Sequence, residues 1–145
     1  MSAGYSGTPL ATKLGIKDGF VVLTVNAPDD YGDLVAPLPD AVSLHYTQAR
    51  ASARAKHPIQ PDLIHIFTNS RDELFQTLAE CRSRIGQDGS IWVSWYKKAA
   101  KLPTEITEDT IRQAALPLGL VDVKVCAVDE KWSGLKLVIR KENRV

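Results

Sequence analysis

Three short segments of this chain are apolar on both faces, and they limit the fold more than any other feature. They cover residues 20–25, 63–67 and 91–95. A strand that is apolar in both directions must be covered on both faces, which is typical of parallel strands between two layers of helices. These segments alternate with stretches of helical periodicity. The sequence therefore predicts an α/β domain with a mainly parallel, Rossmann-like sheet.

Helix signals follow the second and third of these strands. Ser70 and Glu73 have the spacing of a capping box, and the apolar positions after them predict a helix that ends at Gly86. Thr107 is the expected N-cap of the next helix, and Pro117 should end or bend it.

The chain before residue 50 carries weaker signals. Thr8 as N-cap, Pro9 at the first helical position and Gly15 at the end predict a short helix. Residues 31–35 suggest a helical turn, and residues 42–46 a second, weaker strand.

The last segment alternates between apolar and polar residues. Val121, Val123, Val125 and Ala127 share one face, as do Leu135, Leu137 and Ile139 after a turn at 129–134. This alternation predicts a C-terminal antiparallel hairpin over about 121–140.

Length and charge narrow the classes of function. The 145 residues fit one domain, in which we expect residues 1–7 to be flexible and leave residues 47–61 as an unassigned connector. Eighteen Lys and Arg oppose 17 Asp and Glu, so the net charge of +1 provides no general field for nucleic acid. A nucleic-acid surface through Arg50, Arg54 and Lys56, together with Arg71, is the weaker alternative. No signal peptide or membrane span is recognisable, and we expect a cytoplasmic protein that does not bind membranes.

Cys81 and Cys126 are isolated within apolar patterns. We interpret both as small buried hydrophobic residues rather than as a disulfide or a metal pair, and we predict no metal site.

The element order resembles the second half of the class I S-adenosylmethionine-dependent methyltransferase fold. The similar pieces are residues 61–67, the helix from Ser70, residues 89–95 and the hairpin. The resemblance implies a cofactor site at a glycine-rich turn after the first strand and an acidic residue at the end of the second. Here the turn reads NAPDDYG at 26–32, and the second strand reads LHYT at 44–47. Since both elements are missing, we predict no cofactor and expect S-adenosylmethionine not to bind.

Longer strings are similar to an uncharacterised bacterial family, a domain of unknown function. They are YSGTPL at 5–10, WVSWYKK at 92–98, ALPLGLVDVKVCAVDE at 115–130 and WSGLKLVIRK at 132–141. This resemblance implies no particular activity.

Polar residues follow the predicted parallel strands where a ligand crevice is expected. The candidate ligand-binding residues are Asn26, Asn69, Ser70, Ser94, Lys97 and Lys98. Two lysines facing the start of the helix at Ser70 suit an anionic group. Alternatively, Asn69 and Ser70 form only a capping turn, and the lysines only a solvated loop.

Trp132 lies in a polar turn with little apolar sequence around it. We favour a side chain that folds back on the sheet over one that anchors a partner or ligand.

The hypothesis that follows is a noncatalytic Rossmann-like binding or interaction domain that has lost, or never had, the S-adenosylmethionine site. The alternatives are an enzyme acting on a small anionic metabolite in the same crevice and a degenerate methyltransferase. The sequence does not identify the partner, and a small anionic ligand and a second copy of the chain are the candidates. The strand ends separate these hypotheses, because they either enclose a pocket or are filled by Tyr31, Trp95 and Tyr96.

Overall fold

The three segments that are apolar on both faces form the centre of one six-stranded sheet. A computed structural model describes residues 8–48 and 60–143. The strands are β1 (Val21–Val25), β2 (Ser43–Thr47), β3 (Leu63–Phe67), β4 (Ser90–Tyr96), β5 (Leu120–Ala127) and β6 (Trp132–Ile139). Their order is β2-β1-β3-β4-β6-β5, with β1 to β4 parallel and β6 antiparallel to both of its neighbours. The predicted parallel sheet with a closing antiparallel hairpin is confirmed.

Helices cover both faces of this sheet. The α-helices are α1 (Leu10–Leu14), α2 (Tyr31–Val35), α3 (Arg71–Arg82) and α4 (Glu108–Ala115), and 3₁₀ turns cover Lys98–Ala100, Leu116–Leu118 and Lys141–Asn143. The α3 and α4 helices pack over one face, and α1 and α2 over the other. None of the helices in the described ranges has the length and hydrophobicity needed to cross a bilayer.

Strand β3 is buried along its whole length. Ile64 and Ile66 face the α3 and α4 side, whereas Leu63 and Phe67 face α1 and α2. Trp92 and Trp95 also lie in opposite cores.

The α1 helix is tied to the antiparallel half of the sheet. The Trp92 indole Nε1 donates to the carbonyl of Leu14 at 2.9 Å, and Lys124 Nζ donates to the carbonyl of Lys13 at 3.0 Å. Gly15 then ends the helix with a φ of 81°, a left-handed conformation that glycine adopts without steric cost.

Three details of the helices differ from prediction. The α1 helix begins at Leu10 with Pro9, not Thr8, as its N-cap. Ser70 caps α3 as predicted, but the Glu73 side chain does not reach back to it and binds Thr68 instead. The α3 helix ends at Arg82, before Gly86, and the chain turns there with the Ser83 hydroxyl donating to the Glu80 carbonyl.

The fourth helix follows the prediction. Thr107 caps α4, with Thr110 completing a reciprocal capping box, and Pro117 lies in the 3₁₀ turn that ends the helix.

Strand β5 departs from the simple alternation. An irregularity between Asp122 and Lys124 shifts its register against β6, and Val123 and Val125 are 55% and 52% exposed. The expectation that Val121, Val123, Val125 and Ala127 form one regular face is therefore wrong. An extra residue in one strand of a pair rotates the side chains that follow it.

The proposed connector at 47–61 and the flexible start fall mostly outside the described residues.

Gly134 on β6 allows close packing, and this generates a stability prediction. A Cβ at this position would lie 3.1 Å from Trp92 Cε3 and 3.2 Å from both Ser94 Oγ and Val128 Cγ2. Gly134→Ala should therefore lower the free energy of unfolding by about 1–3 kcal/mol in urea titrations. Gly32→Ala is the matched control, because its Cβ would be 3.7 Å from Tyr46 Oη and alanine favours the α2 helix. Equal stability of the two variants would refute the close packing.

Candidate functional site

Asn26 follows β1 at the point where the strand order reverses, and it bonds to both neighbouring strands. In an open α/β sheet the ligand crevice lies at this switch, beyond the carboxyl ends of the strands, and here it falls between β1 and β3. The Asn26 backbone N–H donates to Thr47 at the end of β2 (2.9 Å). Its side-chain Nδ2 donates to the Phe67 carbonyl (3.3 Å) and to Glu73 Oε1 (3.0 Å). Asn26 has a φ of 60°, which asparagine tolerates better than most residues.

Glu73 binds the ends of two strands from the first turn of α3. Its Oε1 accepts from Thr68 Oγ1 at 2.7 Å as well as from Asn26. The Ser70 N–H in turn donates to Thr68 Oγ1 at 3.2 Å. The polar side chains after β1 and β3 therefore form one connected hydrogen-bond network.

The turn after β3 is also bonded to the end of β4. Asn69 Oδ1 accepts from the Tyr96 N–H at 2.8 Å, and the Asn69 carbonyl accepts from the Glu105 N–H at 2.9 Å. Glu105 Oε1 accepts from the N–H of Arg71, the first residue of α3, at 2.8 Å. A carboxylate of the chain itself thus lies where the sequence predicts an external anion.

The two candidate lysines follow β4 on this rim. Lys97 is half-buried and its backbone N–H donates to the Lys131 carbonyl at 2.8 Å, whereas Lys98 is exposed and begins a 3₁₀ turn. The structure therefore brings the turn at Asn69 and Ser70 next to the end of β4. A ligand-binding role for these residues and for Asn26 stays a prediction.

Ser94 does not reach the rim. It is fully buried, and its Oγ lies 2.6 Å from His65 Nε2. The other ring nitrogen of His65, Nδ1, lies 3.0 Å from the hydroxyl of Tyr31. The sequence analysis missed this Tyr31–His65–Ser94 network, although Ser94 is two residues from buried Trp92 and so shares its face.

Burial determines the charge state of this network. It lowers the pKa of His65 from an ordinary value near 6.5 to about 3, so the ring is neutral at physiological pH. Burial also raises the pKa of Tyr31, with a smaller contribution from Tyr46. A neutral imidazole has one donor and one acceptor nitrogen, and the two hydroxyls can satisfy both. Because all three side chains are buried, the network links α2, β3 and β4 within the core.

Aromatic side chains fill the space above β3 and β4. Trp132 packs edge-on against Phe67, with ring centroids 5.0 Å apart, and lies 4.6 Å from Tyr96. The prediction that Trp132 folds back on the sheet is confirmed. Tyr31 and Trp95 are buried as well, so side chains occupy this part of the rim.

A cavity of about 580 Å³ lies beyond the ends of β1 and β2. Its described lining residues are Asn26, Ala27, Pro28, Asp29, Tyr46, Thr47 and Gln48. Among these, Asp29 alone is charged, so the described wall offers no cation to an anionic ligand. Within residues 8–48 and 60–143, no three His, Cys, Asp or Glu side chains are grouped as a metal site requires.

The buried His65 ring generates a pH prediction. Its folded-state pKa lies below that of the unfolded chain, so unfolded molecules bind the proton more tightly. The contribution of His65 to the free energy of unfolding is fully present above about pH 6.5. It should fall by about 1.4 kcal/mol per pH unit as the pH drops toward 3. Urea unfolding at several pH values measures this slope.

Two variants distinguish the contribution of His65 to this slope from that of the carboxyl groups, which also titrate in acid. His65→Gln should lower stability at neutral pH by about 1–3 kcal/mol, because the glutamine amide does not place its donor and acceptor where the two ring nitrogens lie, and should flatten the slope. His45→Gln is the control and should keep the wild-type slope, since it leaves the buried ring in place. A slope in His65→Gln parallel to that of the wild type would contradict this assignment.

Solved methyltransferase structures are similar to this fold. A SAM-dependent methyltransferase from Aquifex aeolicus superposes with a TM-score of 0.65 at 12% identity, over 90% of this chain and 88% of the other. A TehB-like SAM-dependent methyltransferase from Corynebacterium glutamicum gives 0.61 at 12% identity, over 95% and 91%. A ribosomal protein L11 methylase from Lactobacillus delbrueckii subsp. bulgaricus gives 0.61 at 14% identity, over 90% and 75%.

The superpositions establish the methyltransferase-like fold, as predicted. At such low identities they establish no function. No curated protein matches the chain. One family model, described as "Protein of unknown function (DUF3052)", matches residues 11–141. The chain therefore belongs to the DUF3052 family, in agreement with the predicted membership of a family of unknown function.

Proposed function

We propose that this chain is a noncatalytic binding domain with a methyltransferase-like fold that does not take up S-adenosylmethionine. The observation that carries the proposal is the position of Asn26. Its backbone bonds to β2 and its side chain to β3 and Glu73, so it closes the gap between the ends of β1 and β3, beside the turn at which the resemblance implies a cofactor. A ligand entering between β1 and β3 would have to break these bonds.

The residues around the crevice support the same proposal. Pro28 has no N–H to offer in the turn after β1, and the N–H of Asn26 is already bonded to Thr47. The described end of β2 and the residue after it are Tyr46, Thr47 and Gln48, so β2 itself supplies no carboxylate to accept bonds from ribose hydroxyls. These features do not fit the backbone donors and acidic group that the fold resemblance implies, and we assign no chemical step to such a cofactor.

The arrangement of charges favours a binding domain over an enzyme for small anionic metabolites. The Glu105 carboxylate already accepts from the first N–H of α3, and Glu73 lies in the same turn. Asp29 adds a further carboxylate at the cavity beyond β1 and β2. An anion at the start of α3 or in this cavity would therefore meet negative charge, whereas the cations Lys97 and Lys98 lie after β4. The buried His65 ring is out of reach of any ligand and does not supply a general base.

Titration calorimetry with S-adenosylmethionine tests the proposal. We expect no heat of binding at millimolar cofactor and no rise in the melting temperature. A ligand present at about 100 times its Kd would stabilise the fold by about 2.7 kcal/mol, which raises the melting temperature of a domain of this size by several degrees.

The structurally similar Aquifex aeolicus enzyme, a SAM-dependent methyltransferase, is the control and should give a measurable heat in the same buffer. Micromolar affinity of the present chain for the cofactor would refute the proposal.

A further inference from the structure

Four lysines come together on the face of the sheet that α1 covers. Lys13 and Lys17 flank the end of α1, while Lys124 lies on β5 and Lys136 on β6; we call these four residues the lysine cluster. Lys124 and Lys136 are direct cross-strand partners. Lys124 Nζ is bonded to the Lys13 carbonyl, and a Cβ built on Gly15 would lie 3.4 Å from Lys136 Nζ. Three elements therefore concentrate positive charge at one place.

The fold places the like charges of Lys17, Lys124 and Lys136 close together. Like charges directly opposite each other in an antiparallel pair are destabilising. Burial lowers the pKa of the half-buried Lys136 ammonium, and the charges of Lys124 and Lys17 lower it further. Across residues 8–48 and 60–143, no carboxylate forms an ion pair with Lys17, Lys124 or Lys136.

Two arginines of the same fold show the contrast. Arg112 on α4 forms ion pairs with Glu108, Asp109 and Asp122. Arg140 pairs with Glu142. These cations are balanced by carboxylates on the same or neighbouring elements. Lys17, Lys124 and Lys136 instead concentrate positive charge without a carboxylate partner among the described residues, and an external anion would stabilise them.

We propose that the lysine cluster binds a ligand that carries two or three linked phosphate groups. An ammonium group is a compact charge with three donors, and several of them around the half-buried Lys136 match the adjacent charges of such a ligand. The net charge of the chain is only +1, so the attraction is local and suits a compact polyanion better than a long nucleic acid.

This inference goes beyond the proposed function and is independent of it. The lysine cluster lies on α1, the loop after it, β5 and β6, at the other end of the strand order from the cavity beyond β1 and β2. Failure of one proposal would leave the other standing.

Calorimetry with sodium triphosphate at about 50 mM NaCl, where screening is weak, provides the test. The wild type should bind, and K124Q/K136Q should bind at least about tenfold more weakly, because two of the charges that hold the phosphates are gone. The double variant K131Q/K141Q is the matched control, since it removes the same charge from exposed lysines elsewhere, and its affinity should stay within about twofold of the wild type.

A further variant, K17Q, distinguishes a loss of binding from a loss of folding. Lys17 is exposed, so K17Q should keep the wild-type melting temperature and still weaken triphosphate binding about threefold. Backbone amide shifts at Gly15, Lys124 and Lys136 on adding triphosphate should locate the site.

Further ligands identify the source of the phosphates. Binding of triphosphate and ATP with similar affinity would support recognition of the phosphates alone, and tighter binding of ATP would support a nucleotide. Adenosine should not bind at the lysine cluster. The proposal is overturned if triphosphate does not bind at millimolar concentration, or if the control double variant loses as much affinity as K124Q/K136Q. It is also overturned if an oligonucleotide binds through these lysines while triphosphate does not.

Discussion

Strand β3 lies in the buried centre of the molecule, and the arrangement of the other elements depends on it. Its five residues are all buried, and one of them is a histidine. A buried imidazole without hydrogen bonds would cost several kcal/mol. Tyr31 and Ser94 prevent that cost by providing one hydroxyl from α2 and another from β4. The docking of α2 and the register of β4 are therefore both coupled to the His65 ring.

The carboxyl rim of the sheet differs between its two halves. Over β3 and β4, Asn69, Glu73 and Glu105 bond to the chain itself, and Trp132 covers Phe67. Over β1 and β2, the rim is open and forms the cavity beside Tyr46. A fold used by methyltransferases thus has a rim whose polar groups serve largely to hold the fold together.

The sequence predicts the parts of this fold that depend on local pattern. Residues 63–67 and 91–95 are apolar on both faces, so their place in a parallel sheet follows from burial alone. The proximity of Asn69 to the end of β4 follows from the parallel rule as well. In contrast, the partners of Glu73 and His65 are set by tertiary contacts with Asn26, 47 residues away, and with Tyr31, 34 residues away. No periodicity in the sequence indicates such pairs, and no local sequence pattern indicates the register shift in β5.

The attachment of α1 has a consequence for the order in which the chain can fold. Leu14 receives its bond from Trp92, 78 residues later, and Lys13 receives one from Lys124, 111 residues later. A contact between such distant residues forms slowly, because much of the chain must be ordered first. On the ribosome, α1 emerges long before β4, β5 and β6 exist. Among the described helices, α1 is synthesised first and is one of the last to dock, and until it docks the part of the sheet around Trp92 that it covers stays exposed.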